Sequence, residues 1–364
     1  MSNLQPDTKQ PWIFSPMVDG LGILGLPFII FVLILIFPDF FITHSEVSPV
    51  LWILVVMGVD VSHVYSTLFR TYLDPITFKK HHLFLQLLPI AAWFAGIILY
   101  TFGALIFWRV LAYLAVYHFI RQQYGFLKIY MRNENKESWL YTYTIYLVYA
   151  ITSIPILIWH CSPDRIFVWF VKEDFISLHF GFIVPYLKAL LALLLIFYGI
   201  VEVYSIIKNK KINIPKNLLL TGTCISWYMG IVYFNSDLIF TLFNVISHGV
   251  PYIVMVWIYG NKKSAKTVTP GWYRYLFSWK GIVLYIAVLL IFSFMEEGLW
   301  DSMVWEEHHD YFQVFQYIPA VSNQILLTLI VPLLSVPQIS HYIIDGYIWR
   351  LKEDPYNWKK EVLG

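Results

Sequence analysis

Long apolar blocks separated by short polar breaks cover most of this chain. Each block offers about 20 helical residues, which is the length that crosses a hydrocarbon core of roughly 30 Å. We predict ten membrane spans, at residues 20–42, 49–70, 83–102, 104–130, 139–160, 180–207, 217–235, 237–260, 280–296 and 317–349. The tenth block is overlong and contains Pro332 and Pro337, so we expect a kink or a break within it.

Lysine and arginine residues follow the even-numbered spans, and cytoplasmic loops are the loops that collect them. The clearest groups are Lys79 and Lys80, then Lys208, Lys210 and Lys211, and finally Arg350, Lys352, Lys359 and Lys360. The loop at 296–310, after the ninth predicted span, is acidic instead. We therefore expect both termini to lie in the cytoplasm and the protein to reside in the inner (cytoplasmic) membrane of the cell.

Composition supports an integral membrane protein without a soluble domain. The chain is 59% hydrophobic and only 13% charged, with a mean hydropathy of +0.63, whereas about a quarter of the residues in soluble domains are charged. A net charge of +2 is too small to indicate a nucleic-acid partner. We predict an all-α polytopic bundle, formed by residues 1–364 as one membrane domain surrounded by lipid. Segments 163–179 and 267–279 mix aromatic and charged residues, so we expect them to lie on the outer and inner membrane surfaces.

Four of the eleven histidines fall well inside predicted spans, namely the second, fourth, eighth and tenth. They are His63, His118, His248 and His341. The first basic residue at the cytoplasmic end after each one is Arg70, Lys128, Lys262 and Arg350, which lie 7, 10, 14 and 9 residues further along the chain. At about 1.5 Å per residue, all four lie roughly 10–21 Å from the cytoplasmic boundary. They can therefore share one layer of the membrane.

Each of these histidines has a polar residue one helical turn away. These residues are Asp60, Gln122, Asn244 and Asp345, in the order of the histidines. Imidazoles that bind metal usually donate their second ring N–H to such a neighbour. An aspartate at the centre of a span costs about 2.5–3.5 kcal/mol on insertion scales, so it requires a partner. A metal–histidine layer supplies one, and Arg70 and Arg121 are alternative partners.

Neutral imidazoles suit Fe(II), Zn(II) or copper. Four of them around iron would leave one or two coordination positions for O2 and a substrate. Since the site lies within the hydrocarbon, we expect a lipophilic small-molecule substrate that reaches it laterally. The sequence thus predicts a metal-binding oxidoreductase, with Fe(II) as the favoured cofactor and another transition metal as the alternative.

Four short segments carry a resemblance to a known family. They are DVSHVYS around His63, VYHFIRQ around His118, VISHGVPY around His248, and VPQISHYIID, which contains His341 and Asp345. In this order they resemble segments of the Brp/Blh-type membrane carotene dioxygenases, an all-helical family that uses a histidine-ligated non-haem iron. The resemblance implies that the four histidines are iron ligands and that the activity is that of a dioxygenase on a carotenoid or other lipid. The family has a second histidine one turn after the late one, where this chain has Tyr252, so we include Tyr252 among the supporting residues.

Two other functions remain open from the sequence. A multi-pass transporter would use Asp60, His63, Arg121, His341 and Asp345 as a polar pathway through the membrane. An electron carrier would bind haem through two of the histidines. The chain contains no HExxH, P-loop or GxSxG motif, so zinc proteases, P-loop NTPases and α/β-hydrolases are not indicated.

Overall fold

The computed structural model describes residues 10–349, which form helices and loops and contain no β-strand. The predicted all-α fold class is therefore confirmed for this part of the chain. The α-helices are α1 (Pro16–Asp19), α2 (Leu26–Ile36), α3 (Pro38–Thr43), α4 (Pro49–Leu51), α5 (Ser62–Arg70), α6 (Pro75–Thr101), α7 (Ala104–Tyr130), α8 (Trp139–Cys161), α9 (Val184–Asn209), α10 (Ile214–Trp227), α11 (Asp237–Phe240), α12 (Ser247–Lys266), α13 (Gly271–Leu276), α14 (Ile282–Trp300), α15 (Gln324–Leu334) and α16 (Val336–Ile348).

Eight continuous helical stretches in the described residues are long and apolar enough to cross a membrane. They are Pro49–Arg70, Pro75–Thr101, Ala104–Tyr130, Trp139–Cys161, Gly181–Asn209, Asp237–Lys266, Ile282–Trp305 and Gln324–Ile348. A ninth candidate is the pair Pro16–Leu24 and Leu26–Ile36, which meet at an angle of 60°. The protein is thus a multi-pass membrane protein by helix length and hydropathy.

The predicted number of ten spans was too high, and the segment at 217–235 accounts for the difference. Its α-helix, α10, has 14 residues and continues directly as the π-helical turn Tyr228–Tyr233, so the segment is long enough to span a membrane but is not among the stretches that are also apolar enough. Polar side chains along it form hydrogen bonds within the protein, as Thr223 does with Gln123 at 2.9 Å and Ser226 with Ser247 at 3.2 Å. These hydroxyl groups lower the mean hydropathy of the segment, although its run of leucines indicates an apolar span.

Two further predictions from the sequence require correction. Residues 163–179 form a loop instead of a surface helix, because the side chain of Asp174 accepts hydrogen bonds from the backbone N–H groups of Trp169 and Phe170 at 2.8 and 2.6 Å. Burial raises the pKa of Asp174, while these backbone donors lower it in part. The ninth span continues to Trp305 instead of ending at residue 296, and Glu296 is buried within it. Within 267–279, a short helix is present as α13.

The described chain forms two compact units. The first unit comprises residues 10–45, 119–167 and 176–247, and the second comprises 46–118, 168–175 and 248–349. In the first unit α8 packs against α9 and α10, and α10 packs against α2. In the second unit α6 packs against α15 and α16, and α5 packs against α14 and α16. All four candidate histidines belong to the second unit. The prediction of a single domain stays a prediction.

π-Helical turns interrupt the α-helices at five places. They are Gly20–Leu24, Trp52–Val61, Tyr228–Tyr233, Thr241–Ile246 and Asp301–Trp305. Such turns are rare and occur frequently at functional sites. Two of them end just before a candidate histidine, so that His63 and His248 are each the second residue of the α-helix that follows.

The tenth predicted span is broken, as its prolines indicated. Helix α15 ends at Leu334 and α16 begins at Val336, after Ser335. Pro332 removes a backbone donor in this region, and the indole of Trp93 donates to the carbonyl of Leu329 at 2.9 Å. The predicted break is confirmed, and it places the fourth histidine on the separate helix α16.

Candidate metal centre

Four imidazoles meet in the interior of the second unit. They belong to His63, His118, His248 and His341, whose exposed fractions are 1, 5, 1 and 1%. Each ring offers one nitrogen, and these four nitrogens all lie within 4.8 Å of one another. Two of the separations are 3.1 Å, from His63 Nε2 to His248 Nε2 and from His341 Nε2 to His118 Nε2. We call this group the histidine cluster.

The rings of the histidine cluster are arranged in a closed cycle. Going round it, the order is His63, His248, His118 and His341, with ring centroids 4.7, 4.9, 4.7 and 4.8 Å apart. Neighbouring rings are tilted by 69–88° to each other. Such edge-to-face contacts leave the centre of the cycle lined by ring nitrogens.

Two of the nitrogen spacings match those of ligands on a single metal ion. Imidazole nitrogens bind first-row metals at about 2.0–2.1 Å, so two nitrogens on one ion lie about 2.9–3.4 Å apart for ligand angles between a right angle and a tetrahedral angle. The Nε2 separations of the pairs His63–His248 and His341–His118, 3.1 Å each, fall within this range. The donor set of four neutral, buried imidazoles is one that Fe(II), Zn(II) and copper accept.

Polar side chains lie beside the opposite nitrogen of two of the rings, and one of them is hydrogen-bonded there. A carboxylate oxygen of Asp60 lies 3.5 Å from His63 Nδ1, and the hydroxyl of Thr67 lies 2.7 Å from His341 Nδ1. An ionised carboxylate can accept hydrogen bonds but cannot donate them. Asp60 therefore favours the tautomer of His63 that carries its proton on Nδ1. The Nε2 lone pair then points toward the centre of the histidine cluster, as a metal ligand requires.

Two aspartates flank the histidine cluster. In addition to Asp60, the carboxylate of Asp345 lies 3.6 Å from His118 Nε2 and 3.9 Å from His341 Nδ1. It accepts hydrogen bonds from the hydroxyl of Tyr252 and, at 3.3 Å, from the indole of Trp349. The imidazoles are neutral, so the two carboxylates bring two negative charges, which a divalent cation would balance.

Thr67 was not found from the sequence, although it joins three elements of the site. Its hydroxyl contacts His341 Nδ1 on α16 and the hydroxyl of Tyr252 on α12, at 2.7 and 2.8 Å. The ring of Tyr252 lies edge-on to that of His341, with centroids 4.9 Å apart. A signal was available, because Thr67 follows His63 by four residues and so lies on the same face of the helix.

Close packing between helices sets the distance between His63 and His248. A Cβ on Gly249 would lie only 2.7 Å from a side-chain carbon of Val59 and 3.1 Å from its carbonyl oxygen. A glycine here therefore lets α12 approach the π-helical turn Trp52–Val61. On the other side of α5, the hydroxyls of Ser62 and Ser293 are hydrogen-bonded at 2.7 Å.

The remaining predicted residues have other surroundings. Arg70 lies at the end of α5, stacks on Tyr259 at 3.7 Å from the ring centroid and donates to the carbonyl of Ile348 at 3.5 Å. The other three belong to the first unit. There Arg121 is exposed and donates to the hydroxyl of Tyr149 at 2.7 Å, Asn244 donates to the carbonyl of Phe240 at 3.3 Å, and Gln122 is partly buried. Their supporting role stays a prediction.

Comparison with known proteins does not extend this description. The chain matches no protein-family model, no curated protein and no solved structure. The resemblance to the Brp/Blh-type carotene dioxygenases therefore has no support beyond the four histidine segments. What stands on the structure is a polytopic helical membrane protein with a buried cluster of four histidines that could hold a metal ion.

Proposed function

We propose that this protein is a membrane-embedded, metal-dependent oxidoreductase of the oxygenase type, acting on a lipophilic substrate such as a carotenoid or another lipid. The observation that carries the proposal is that four buried imidazoles, on helices long and apolar enough to span a membrane, place one nitrogen each within 4.8 Å of one another. An Fe(II) ion with four such ligands keeps one or two coordination positions open and can pass electrons to O2.

The protein's own residues supply binding, orientation and charge balance. The Nε2 atoms of the histidine cluster would hold the ion, with Thr67 hydrogen-bonded to His341 Nδ1 and Asp60 lying 3.5 Å from His63 Nδ1. Asp345, held by Tyr252 and Trp349, supplies the second negative charge. Burial of all four rings excludes bulk water from the site, which strengthens each electrostatic interaction within it.

The geometry favours a bare ion over haem. A haem held by two histidines needs its flat macrocycle between the two coordinating nitrogens. Here neighbouring ring centroids of the histidine cluster are only 4.7–4.9 Å apart. For any two of the histidines, the other two imidazole rings therefore fill the space that a macrocycle would need. The polar pathway of the transporter hypothesis loses one of its five residues, because Arg121 is exposed and hydrogen-bonded to Tyr149.

Metal analysis of the full chain, purified in detergent, tests the proposal. We expect close to one transition-metal ion per chain by mass spectrometry, with iron predominant when cells are grown in iron-replete medium. The variant His118→Gln should lose at least nine-tenths of this metal, since a missing ligand leaves the buried charge of the ion poorly compensated.

A matched control is available in the other unit. His160 is also buried, at 8% exposure, but its Nδ1 contacts the carbonyl of Ile156 at 2.7 Å. The variant His160→Gln should keep the metal content of the unaltered protein. Protein that folds and carries no transition metal, or that loses metal equally in both variants, would show that the histidine cluster is not a metal site.

The carotenoid version of the proposal has its own test. Expression in a bacterium that accumulates β-carotene should bleach the cells and produce retinal, and the His118→Gln variant should leave the colour unchanged. If the cells stay coloured although metal-loaded protein is present, β-carotene is not the substrate, and other lipids should be tested next.

A further inference from the structure

A cavity of about 190 Å³ lies in the second unit and reaches the histidine cluster. Its walls come from α5, α6 and α16, and they are almost wholly apolar. Val64, Leu68 and Ile344 contribute apolar surface, and the ring of His341 forms part of the wall. A molecule in this cavity would therefore touch one of the four candidate ligands.

The lining residues differ in their exposure. Tyr65, Leu68 and Pro89 are partly exposed, whereas Val64 and His341 are buried. Pro89 lies 14 residues after the start of α6 and 12 before its end, or about 18–21 Å from either end. Part of the exposed lining is therefore at mid-depth of a spanning helix, where the surroundings in a membrane are acyl chains.

One polar group in the lining has no hydrogen bond. Ser340 is 6% exposed, and its hydroxyl has no partner among the described residues. Two other hydroxyls of the lining are already hydrogen-bonded, that of Thr67 to His341 and Tyr252 and that of Tyr72 to the carbonyl of Leu85. A buried hydroxyl without a partner is unfavourable, so Ser340 points to an occupant that carries an oxygen function.

The volume limits what the occupant can be. A dry apolar cavity of about 150 Å³ holds benzene, so about 190 Å³ holds roughly seven or eight carbon atoms at the same density. That is room for a stretch of unbranched chain or for one small ring. It is less than the methylated end ring of a carotenoid needs.

We propose that this cavity binds an unbranched acyl chain of a lipid, with an oxygen function of that lipid hydrogen-bonded to Ser340 and the chain held against His341. The inference rests on the proposed function, since the bound chain would be the substrate of the metal centre. The same chemistry is offered by free fatty acids and by the acyl chains of phospholipids, and the probes below distinguish these sources.

Photo-crosslinking of the full chain tests the proposal. A fatty acid with a mid-chain diazirine, and a phosphatidylcholine that carries the same acyl chain, should label the peptides that contain residues 64–72 or 336–344. Labelling by the fatty acid alone supports a free acid, and labelling by both probes supports an acyl lipid. An excess of unlabelled palmitate should reduce labelling by the fatty acid about tenfold on the unaltered protein.

Adjacent isoleucines on α16 provide a matched pair of variants. Ile344 lines the cavity and is 1% exposed, whereas Ile343 is 38% exposed and is not part of the lining. Ile344→Trp should fill the cavity and lower labelling at least tenfold, and Ile343→Trp should leave it within twofold. Ser340→Ala should weaken labelling by the fatty acid several-fold.

Metal content, measured on the same samples, separates this proposal from the one above. Absent labelling, or labelling that neither palmitate nor Ile344→Trp reduces, overturns the acyl-chain site even if the protein carries its metal. Specific labelling of a protein that carries no metal would support the acyl-chain site and contradict the proposed oxidoreductase function.

Discussion

At the scale of single residues, the site combines neutral ligands with charged neighbours. Four histidines supply lone pairs but no charge, and Asp60 and Asp345 lie within 4 Å of their rings. On the proposed function, ligand and charge-balancing carboxylate would thus be different residues. Asp60 lies near His63 Nδ1, whereas Asp345 lies 3.6 Å from His118 Nε2 itself. Asp60 would therefore balance charge without occupying a coordination position.

Replacing Asp345 by asparagine tests this role. The amide keeps the shape and the contact with Tyr252, but it removes one negative charge beside His118 and His341. We expect metal affinity to fall about 10–100-fold, the usual effect of changing a residue that supports a metal ligand. Competition against a chelator of known affinity measures it. Asp39→Asn, at an exposed position, should have no effect, and equal affinity in both variants would contradict the role of Asp345.

Thr67 allows a second test at this scale, directed at ring orientation. Thr67→Val preserves the shape of the side chain and removes the hydroxyl that contacts His341 Nδ1 at 2.7 Å. We expect about tenfold weaker metal binding and an altered ligand-field spectrum of the Co(II)-substituted protein. Thr101→Val, which removes an exposed hydroxyl bonded to the carbonyl of Ile98, is the control and should leave the spectrum unchanged.

At the scale of elements, irregular helices bring the ligands together. His63 and His248 each follow a π-helical turn, and His341 lies on the helix that restarts after the break at Ser335. A regular span would carry its side chains along one fixed stripe. Changing the local helix type, or restarting the helix, changes the direction in which the next side chains point.

The contact at Gly249 gives a prediction for the elements. Gly249→Ala places a methyl group against Val59, whose branched side chain has little freedom to move. We expect α12 and the turn Trp52–Val61 to separate by a few tenths of an ångström and the metal content to fall at least threefold, although no ligand is altered.

Gly125→Ala is the matched control for this prediction. It also adds a methyl group within a helix, α7, but a Cβ there meets nothing within 4 Å, and alanine favours helix over glycine by up to about 1 kcal/mol. Metal content should stay at the level of the unaltered protein. If Gly249→Ala also retained full metal, the close approach would not matter for the site.

The sequence predicts some of these elements and not others. The break near Pro332 and Pro337 follows from proline chemistry, and it is found. The π-helical turns carry no such marker, because the residues that form them are ordinary helix residues in apolar surroundings. The seventh and ninth predicted spans, at 217–235 and 280–296, were misjudged for a related reason. Whether a hydroxyl or a carboxylate such as Glu296 is tolerated inside a span depends on its partners from other helices.

At the scale of the whole molecule, the described chain is a multi-pass membrane protein with its histidine cluster in one of two compact units. The similar depth of the four histidines was visible in the sequence, because depth follows from counting residues along a helix. Their arrangement as a closed cycle was not, since it depends on how α5, α7, α12 and α16 are rotated and packed. Support from Thr67 likewise becomes visible only when the helices are brought together.

Removal of metal should be visible in the stability of the whole chain. An ion that binds only the folded protein stabilises it by about 2.7 kcal/mol when its free concentration is a hundredfold above Kd. We therefore expect a strong chelator to lower the midpoint of thermal unfolding in detergent by several degrees, and added Fe(II) to restore it under anaerobic conditions. The His118→Gln variant should unfold at one temperature with or without chelator, and a shift of equal size there would point to an ion bound elsewhere.

The two aspartates beside the histidine cluster also bear on how a cell produces this protein. A newly inserted chain carries no ion, so Asp60 and Asp345 enter the lipid phase at a cost of about 2.5–3.5 kcal/mol each on insertion scales, with only their contacts inside the protein to offset it. On the proposed function, capture of an ion would complete assembly, and chains that failed to capture one would remain open to proteolytic quality control. The amount of this protein in a cell should accordingly follow the supply of its metal, even when transcription is held constant.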